Sequence, residues 1–211
     1  MRADRLRNLI VLALGLAALA GLGNVTTNLD GTTLQVLGDA ADNSVMLQGN
    51  GAGVVEVRGI NTTVNGGKAT LTFTGVTSLV VDVADGDDIV KSHNLAGVGI
   101  EVQAGRGDET VNLNGTTGTE DGLGLIVYGD YSQIEPEPQI RNGEDTILVS
   151  NINVVSYINC AIVGDWSGDG KRDTITLANT TSEGGGFAAG FGLFIYGGYE
   201  PSGVRCPTPS G

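Results

Sequence analysis

The stretch Leu79-Val-Val-Asp-Val-Ala-Asp-Gly-Asp-Asp-Ile-Val90 decides the fold. A short β-branched run leads into a turn of Asp and Gly, and a second short apolar run leaves it. Runs of this length and composition, bounded by Gly and Asp, read as strands joined by tight turns. The phrase returns with variation as Ile100-Glu-Val-Gln-Ala-Gly-Arg-Gly-Asp-Glu-Thr-Val-Asn-Leu113. A third copy opens at Leu125-Ile-Val-Tyr-Gly-Asp-Tyr131 and closes at Asn142-Gly-Glu-Asp-Thr-Ile-Leu-Val149. A fourth runs from Ala161 to Leu177, half of a fifth from Leu193 to Tyr199, and a weaker early copy from Gly38 to Leu47.

Aligned on the acidic residue before each second strand, Asn43, Asp87, Glu109, Asp145 and Asp173 form one column. Val45, Ile89, Val111, Ile147 and Ile175 form another, spaced 44, 22, 36 and 28 residues apart. The first interval holds two units, and the third contains the Gln133–Arg141 insertion with its Glu135-Pro-Glu-Pro138 loop. Units of about 20–30 residues that cannot bury their own apolar face are the mark of stacked coils. The expected fold is therefore all-β, a parallel β-helix or β-solenoid. A β-propeller fragment and a β-sandwich are the alternatives. Between the early copies, Val55 and Val57, then Leu71 and Phe73, alternate as strands with one face in common.

Composition agrees with this class. The 211 residues include 35 glycines and only 5 prolines, and aromatics make up 5%. Narrow stacked coils leave little room for large rings. Twenty-four acidic residues against 11 basic give a net charge of −13, with no basic patch for nucleic acid. The counterions such a surface attracts are cations, divalent ones above all.

Outside the repeats, Arg2, Arg5 and Arg7 precede an apolar run from Leu9 to Leu19 and the small residues Ala18 and Ala20. That order reads as a secretory signal peptide over residues 1–20, since the run falls short of the about 20 residues of a membrane span. Residues 21–200 form the β domain and 201–211 a tail. The expected location is outside the cell or on its surface. Export permits a disulfide between Cys160 and Cys206; free thiols or an intermolecular bridge are the alternatives.

The turn Asp165-Trp-Ser-Gly-Asp-Gly-Lys-Arg-Asp173 carries the sharpest chemical signal. Asp165, Ser167, Asp169 and Asp173 place side-chain oxygens at loop positions one, three, five and nine. Gly170 supplies the bend at position six, and the Lys171 carbonyl stands at position seven. A hard cation wants six to eight oxygens, and this spacing supplies most of them. Thr176 occupies the place of an EF-hand's bidentate Glu, so the loop is not an EF-hand. With Val163–Ile175 in view, the loop resembles the calcium loop of FG-GAP/VCBS-type repeats, over about 13 residues. That resemblance implies calcium at Asp165, Asp169 and Asp173, with Ser167 where Asp or Asn is usual. The turns Gly105-Arg-Gly-Asp-Glu-Thr-Val111, Gly143-Glu-Asp-Thr-Ile147 and Asp85-Gly-Asp-Asp-Ile89 resemble degenerate RTX (haemolysin-type) calcium repeats. This implies calcium ligands at Asp85, Asp87, Asp88, Asp108, Glu109, Glu144 and Asp145. Stacked strands lie about 4.8 Å apart, so carboxylates in register repel unless a cation bridges them.

The expected function is a secreted or cell-surface calcium-binding structural or matrix protein without catalysis. It would self-associate or contact extracellular polysaccharide. A carbohydrate- or protein-binding adhesin is the alternative, with Tyr128, Tyr131, Trp166, Tyr196 and Tyr199 near one corner as its aromatic strip. A β-helix polysaccharide lyase or hydrolase is the second alternative. Against catalysis stand the single histidine, His93, which cannot form a zinc triad, and the lack of a G-x-S-x-G elbow. Arg106-Gly107-Asp108 spells an adhesion tripeptide but reads as one more Gly/Asp turn.

Overall fold

In the computed structural model, the described residues are 22–115, 125–130, 143–151, 153–154, 160–163, 173–179, 181–182 and 194–196. Among them the protein is all-β, with no helix and no closed barrel. The strands are β1 (Gly23–Asp30), β2 (Thr33–Leu37), β3 (Ser44–Gly49), β4 (Val54–Gly59), β5 (Thr62–Val64) and β6 (Leu71–Thr74). There follow β7 (Ser78–Asp82), β8 (Ile89–His93), β9 (Gly99–Gln103), β10 (Thr110–Asn114), β11 (Leu125–Tyr128) and β12 (Thr146–Ser150). The last are β13 (Asn153–Val154), β14 (Cys160–Val163), β15 (Thr174–Ala178), β16 (Thr181–Ser182) and β17 (Phe194–Tyr196).

Two mixed sheets hold all but two of these strands, β13 and β16, which pair with each other. One sheet runs β17-β14-β11-β9-β7-β2-β1-β5 and the other β15-β12-β10-β8-β3-β4-β6. From β7 onward every pairing within them is parallel. Antiparallel pairing is confined to the N-terminal end, at β1–β2, β3–β4 and β4–β6. Strands of the quoted phrase thus enter the two sheets by turns: β7 then β8, β9 then β10, β11 then β12.

Alternation explains which side chains go inside. Strands β2, β8 and β10 bury every second residue, as a period-two pattern requires. In one sheet Val45, Val90, Val111 and Ile147 stack in register, all fully buried. In the other, Leu34, Leu79, Ile100 and Leu125 do the same. Each such side chain contributes about 1.5–3 kcal/mol by leaving water. Val55 pairs with Phe73 and Val57 with Leu71; the valines are buried and their partners pack half-buried against the same core.

The register corrects one column read from the sequence. Ser44 pairs with Ile89 and Ile89 with Thr110, so Asp88, not Asp87, stands between Asn43 and Glu109. Ile89 and Val90 are both apolar, and composition could not tell which faced inward. Val90 is fully buried, whereas Ile89 is half-buried on the other side. A one-residue slip in a strand exchanges its two faces.

Candidate metal centre

The turns leading into β3, β8, β10, β12 and β15 superpose their last residues: Asn43, Asp88, Glu109, Asp145 and Asp173. After the last four of these, the backbone N–H of the next residue donates to the carbonyl one strand back: Ile89 to Asn43, Thr110 to Asp88, Thr146 to Glu109 and Thr174 to Asp145, at 2.7–2.8 Å. Asn43, Asp88, Glu109 and Asp145 are each 1% exposed. Their neighbours Asp87, Asp108 and Glu144 are exposed.

Two carboxylate ladders of opposite sense result. In the exposed one, Asp42 Oδ1 accepts the Asp87 N–H at 3.1 Å, Asp87 Oδ1 accepts from Asp108 at 3.1 Å, and Asp108 Oδ1 from Glu144 at 3.0 Å. In the buried one the carboxylate reaches back instead. Asp88 Oδ1 accepts the Asn43 N–H at 2.6 Å, Asp145 Oδ1 that of Glu109 at 3.1 Å, and Asp173 Oδ1 that of Asp145 at 3.1 Å. Asp85 departs from both ladders: it bridges to Arg106 in parallel, with a half-exposed ion pair at 3.5 Å. Such a pair is worth at most about 1 kcal/mol.

Glycines make the buried ladder possible. A Cβ on Gly107 would lie 2.8 Å from Glu109 Oε1 and collide with the Gly86 carbonyl. Its φ of +135° belongs to glycine as well. A Cβ on Gly143 would strike the Gly107 carbonyl and come within 3.2 Å of Asp145 Oδ1.

Asp130 completes the site. It follows β11 in the other sheet and is 3% exposed. Glu109, Asp130 and Asp145 each bring one carboxylate oxygen within 4.8 Å of the others, and this buried triad could hold a metal ion. Among the described residues, neither Glu109 oxygen has a hydrogen-bond partner, and Asp145 Oδ2 has none. Burial first, then the Asp145 carboxyl beside it and the charges of Asp130 and Asp88, drive the Glu109 pKa far up. Asp145 is raised as well, chiefly by burial. Asp88 is pushed up to about 8, again chiefly by burial. Buried acceptors with no donor cost several kcal/mol as anions, which a proton or a cation must relieve.

Of the residues expected from sequence to bind calcium, the structure brings Glu109 and Asp145 together and places Asp88 in the same buried row. Asp85, Asp87, Asp108 and Glu144 lie outside the triad. Asp173 closes the row at β15. Asp165, Ser167, Asp169 and Lys171 lie outside the described residues, as do Cys206 and the segments 1–20 and 201–211 expected from sequence to be a leader and a tail; Cys160 lies in β14. Asp130 was missed because it sits in the first half of its unit, away from the aligned acids. The signal available was the recurrence of Tyr128-Gly-Asp130 as Val163-Gly-Asp165, with Tyr128 and Val163 in register.

Comparison with family models, with curated proteins and with solved structures finds no match for this chain. No helix among the described residues is long and apolar enough to cross a membrane.

Proposed function

We propose that this chain is an exported, non-catalytic structural protein, a β-solenoid whose interior corner is neutralised by calcium. The single observation that carries the reading is Glu109: a carboxylate 1% exposed, both oxygens without a partner among the described residues, beside Asp130 and Asp145. Three all-oxygen carboxylate ligands suit a hard cation rather than zinc or copper. Calcium takes oxygens at 2.3–2.6 Å, so opposite ligands lie about 5 Å apart, in keeping with ligand atoms within 4.8 Å of one another. Backbone carbonyls and water would complete its six to eight ligands. The parallel in-register pairing of alternate strands supports the solenoid, and the basic, then apolar, leader supports export. The Asp165–Asp173 loop is a further calcium position under the same reading. A scaffold role fits a chain whose clustered acids, among the described residues, sit in turns between strands. Self-association or contact with extracellular polysaccharide would then be its use.

The test is thermal unfolding in chelator and in saturating calcium. A ligand at 100 times its Kd stabilises by about 2.7 kcal/mol, or roughly 5–10 °C for a domain of this size. Glu109→Gln should keep the fold in chelator and lose most of the calcium-induced rise. A wild-type Tm indifferent to calcium would sink the proposal.

A further inference from the structure

The outer face of the sheet that holds β3, β4 and β8 bears a patch of the opposite sign. Arg58 on β4 and Lys91 on β8 both pair in register with Met46 of β3, one from each side. Val45, Val57 and Val90 are fully buried, so alternation turns Arg58, Met46 and Lys91 to the other face. The neighbouring row holds the half-buried Ile89 and Ser44, whose carbonyl accepts the Ile60 N–H at 2.8 Å. Ile60 is 38% exposed. Two cations thus flank a small apolar centre in a chain of net charge −13. Neither has an ion-pair partner among the described residues, where Arg106 with Asp85 forms the one ion pair. Glu56, two residues before Arg58 on the same face, lies opposite Gln48. Arginine and methionine are residues that protein interfaces favour.

The protein carries its own complement. Asp42, Asp87, Asp108 and Glu144 each stand two residues before Ser44, Ile89, Thr110 and Thr146, which pair in register. All four acids are exposed. Arg58 and Lys91 lie two strands apart, and two strand spacings are about 10 Å. Asp87 and Glu144 stand at the same interval, as do Asp42 and Asp108. Both intervals run across the sheet and both are fixed by strand pairing, so they match with no adjustment of either. Among the described residues, no ion pair joins the two sets within one chain.

We propose that this face docks a second copy of the chain, with Arg58 and Lys91 meeting alternate carboxylates of that copy's exposed ladder across Met46, Ile60 and Ile89. The proposal rests on reading the chain as a self-associating scaffold and names the two surfaces that join.

Sedimentation velocity of the full chain, at fixed calcium and over a range of salt, tests it. Wild type should associate as its concentration rises, and less so at 1 M salt, where the screening length falls to about 3 Å. Arg58→Glu with Lys91→Glu should weaken association by about tenfold or more, because like charges then face each other. Asp87→Lys with Glu144→Lys should do the same. Mixed together, the two variants should associate again, the cations of the second against the ladder of the first. Damage to the fold would not be repaired by mixing. Should the ladder variant fail to fold, Glu144→Lys alone takes its place. A wild-type chain that stays monomeric, association indifferent to salt, or double variants that associate as wild type does each overturns the proposal. So does a monomeric chain that binds dextran sulfate through Arg58 and Lys91, which gives the face to a polyanion. The calcium-induced rise in Tm should survive Arg58→Glu with Lys91→Glu. A monomeric wild type that keeps this rise overturns the contact and leaves the metal centre standing.

Discussion

At the residue scale the decisive feature is a carboxylate kept where anions are costly. Glu109 faces the interior because β10 alternates, and the Thr110 and Val111 that follow it are set by pairing with β8 and β12. The room for its side chain comes from Gly107. Gly107→Ala combines an unfavourable φ with a collision against the Gly86 carbonyl, and it crowds Glu109 Oε1. The expected loss exceeds the about 1–3 kcal/mol of backbone strain alone, read as a lower midpoint in chemical denaturation. A neighbour such as exposed Asp108→Asn should change the midpoint by no more than about 1 kcal/mol. Equal effects of the two would contradict the packing described. Glycine abundance and the Gly-x-Asp pattern were legible in the sequence; which glycine lay against which oxygen was not, because strand stacking sets that distance.

At the element scale a second column shapes the far ends of the strands. Asn94, Gly115, Asn151 and Asn179 follow β8, β10, β12 and β15, and all have positive φ, between 50° and 70°. Asparagine and glycine tolerate that region better than other residues. Asn151 Nδ2 donates to Asn114 Oδ1 at 3.1 Å, and Asn179 Nδ2 to Asn151 Oδ1 at 3.2 Å. Asn151→Ala should cost about 1–2 kcal/mol from the left-handed backbone, plus roughly 0.5–1 for the lost bonds. Asn151→Gly keeps the backbone and should cost only the latter part. Denaturation midpoints separate the two, and an alanine variant no worse than the glycine one would refute the account. The existence of these strands was legible from Val, Ile and Leu alternation. The register at β8 was not, since Ile89 and Val90 are interchangeable by composition, and the Asp87 alignment slipped there by one residue.

At the scale of the whole molecule, buried acids couple stability to pH. Folding raises Asp88 from 3.8 to about 8, and raises Glu109 and Asp145 as well. A carboxyl raised by folding keeps its proton in the folded chain where the unfolded chain has lost it. Its contribution is whole below the unfolded pKa near 4 and is lost as pH rises through the folded value. In chelator, Tm should therefore fall between pH 5 and pH 8. Saturating calcium takes the place of the protons and should flatten that slope, with affinity rising as pH rises. Calorimetry across this range checks both, and a Tm that climbs with pH in chelator would contradict the burial of the row.

By themselves, the residues in their order determined strands, turns and a surplus of negative charge, because period-two alternation and Gly/Asp turn chemistry act within a few neighbours. Only the tertiary structure decided that Asp88 belongs to the buried row and that Asp130 meets Glu109 and Asp145. Those oxygens come from different strands of two sheets, and their meeting depends on pairing register. Register is set by the packing of all the stacked valines and leucines at once, and no short stretch of chain carries it.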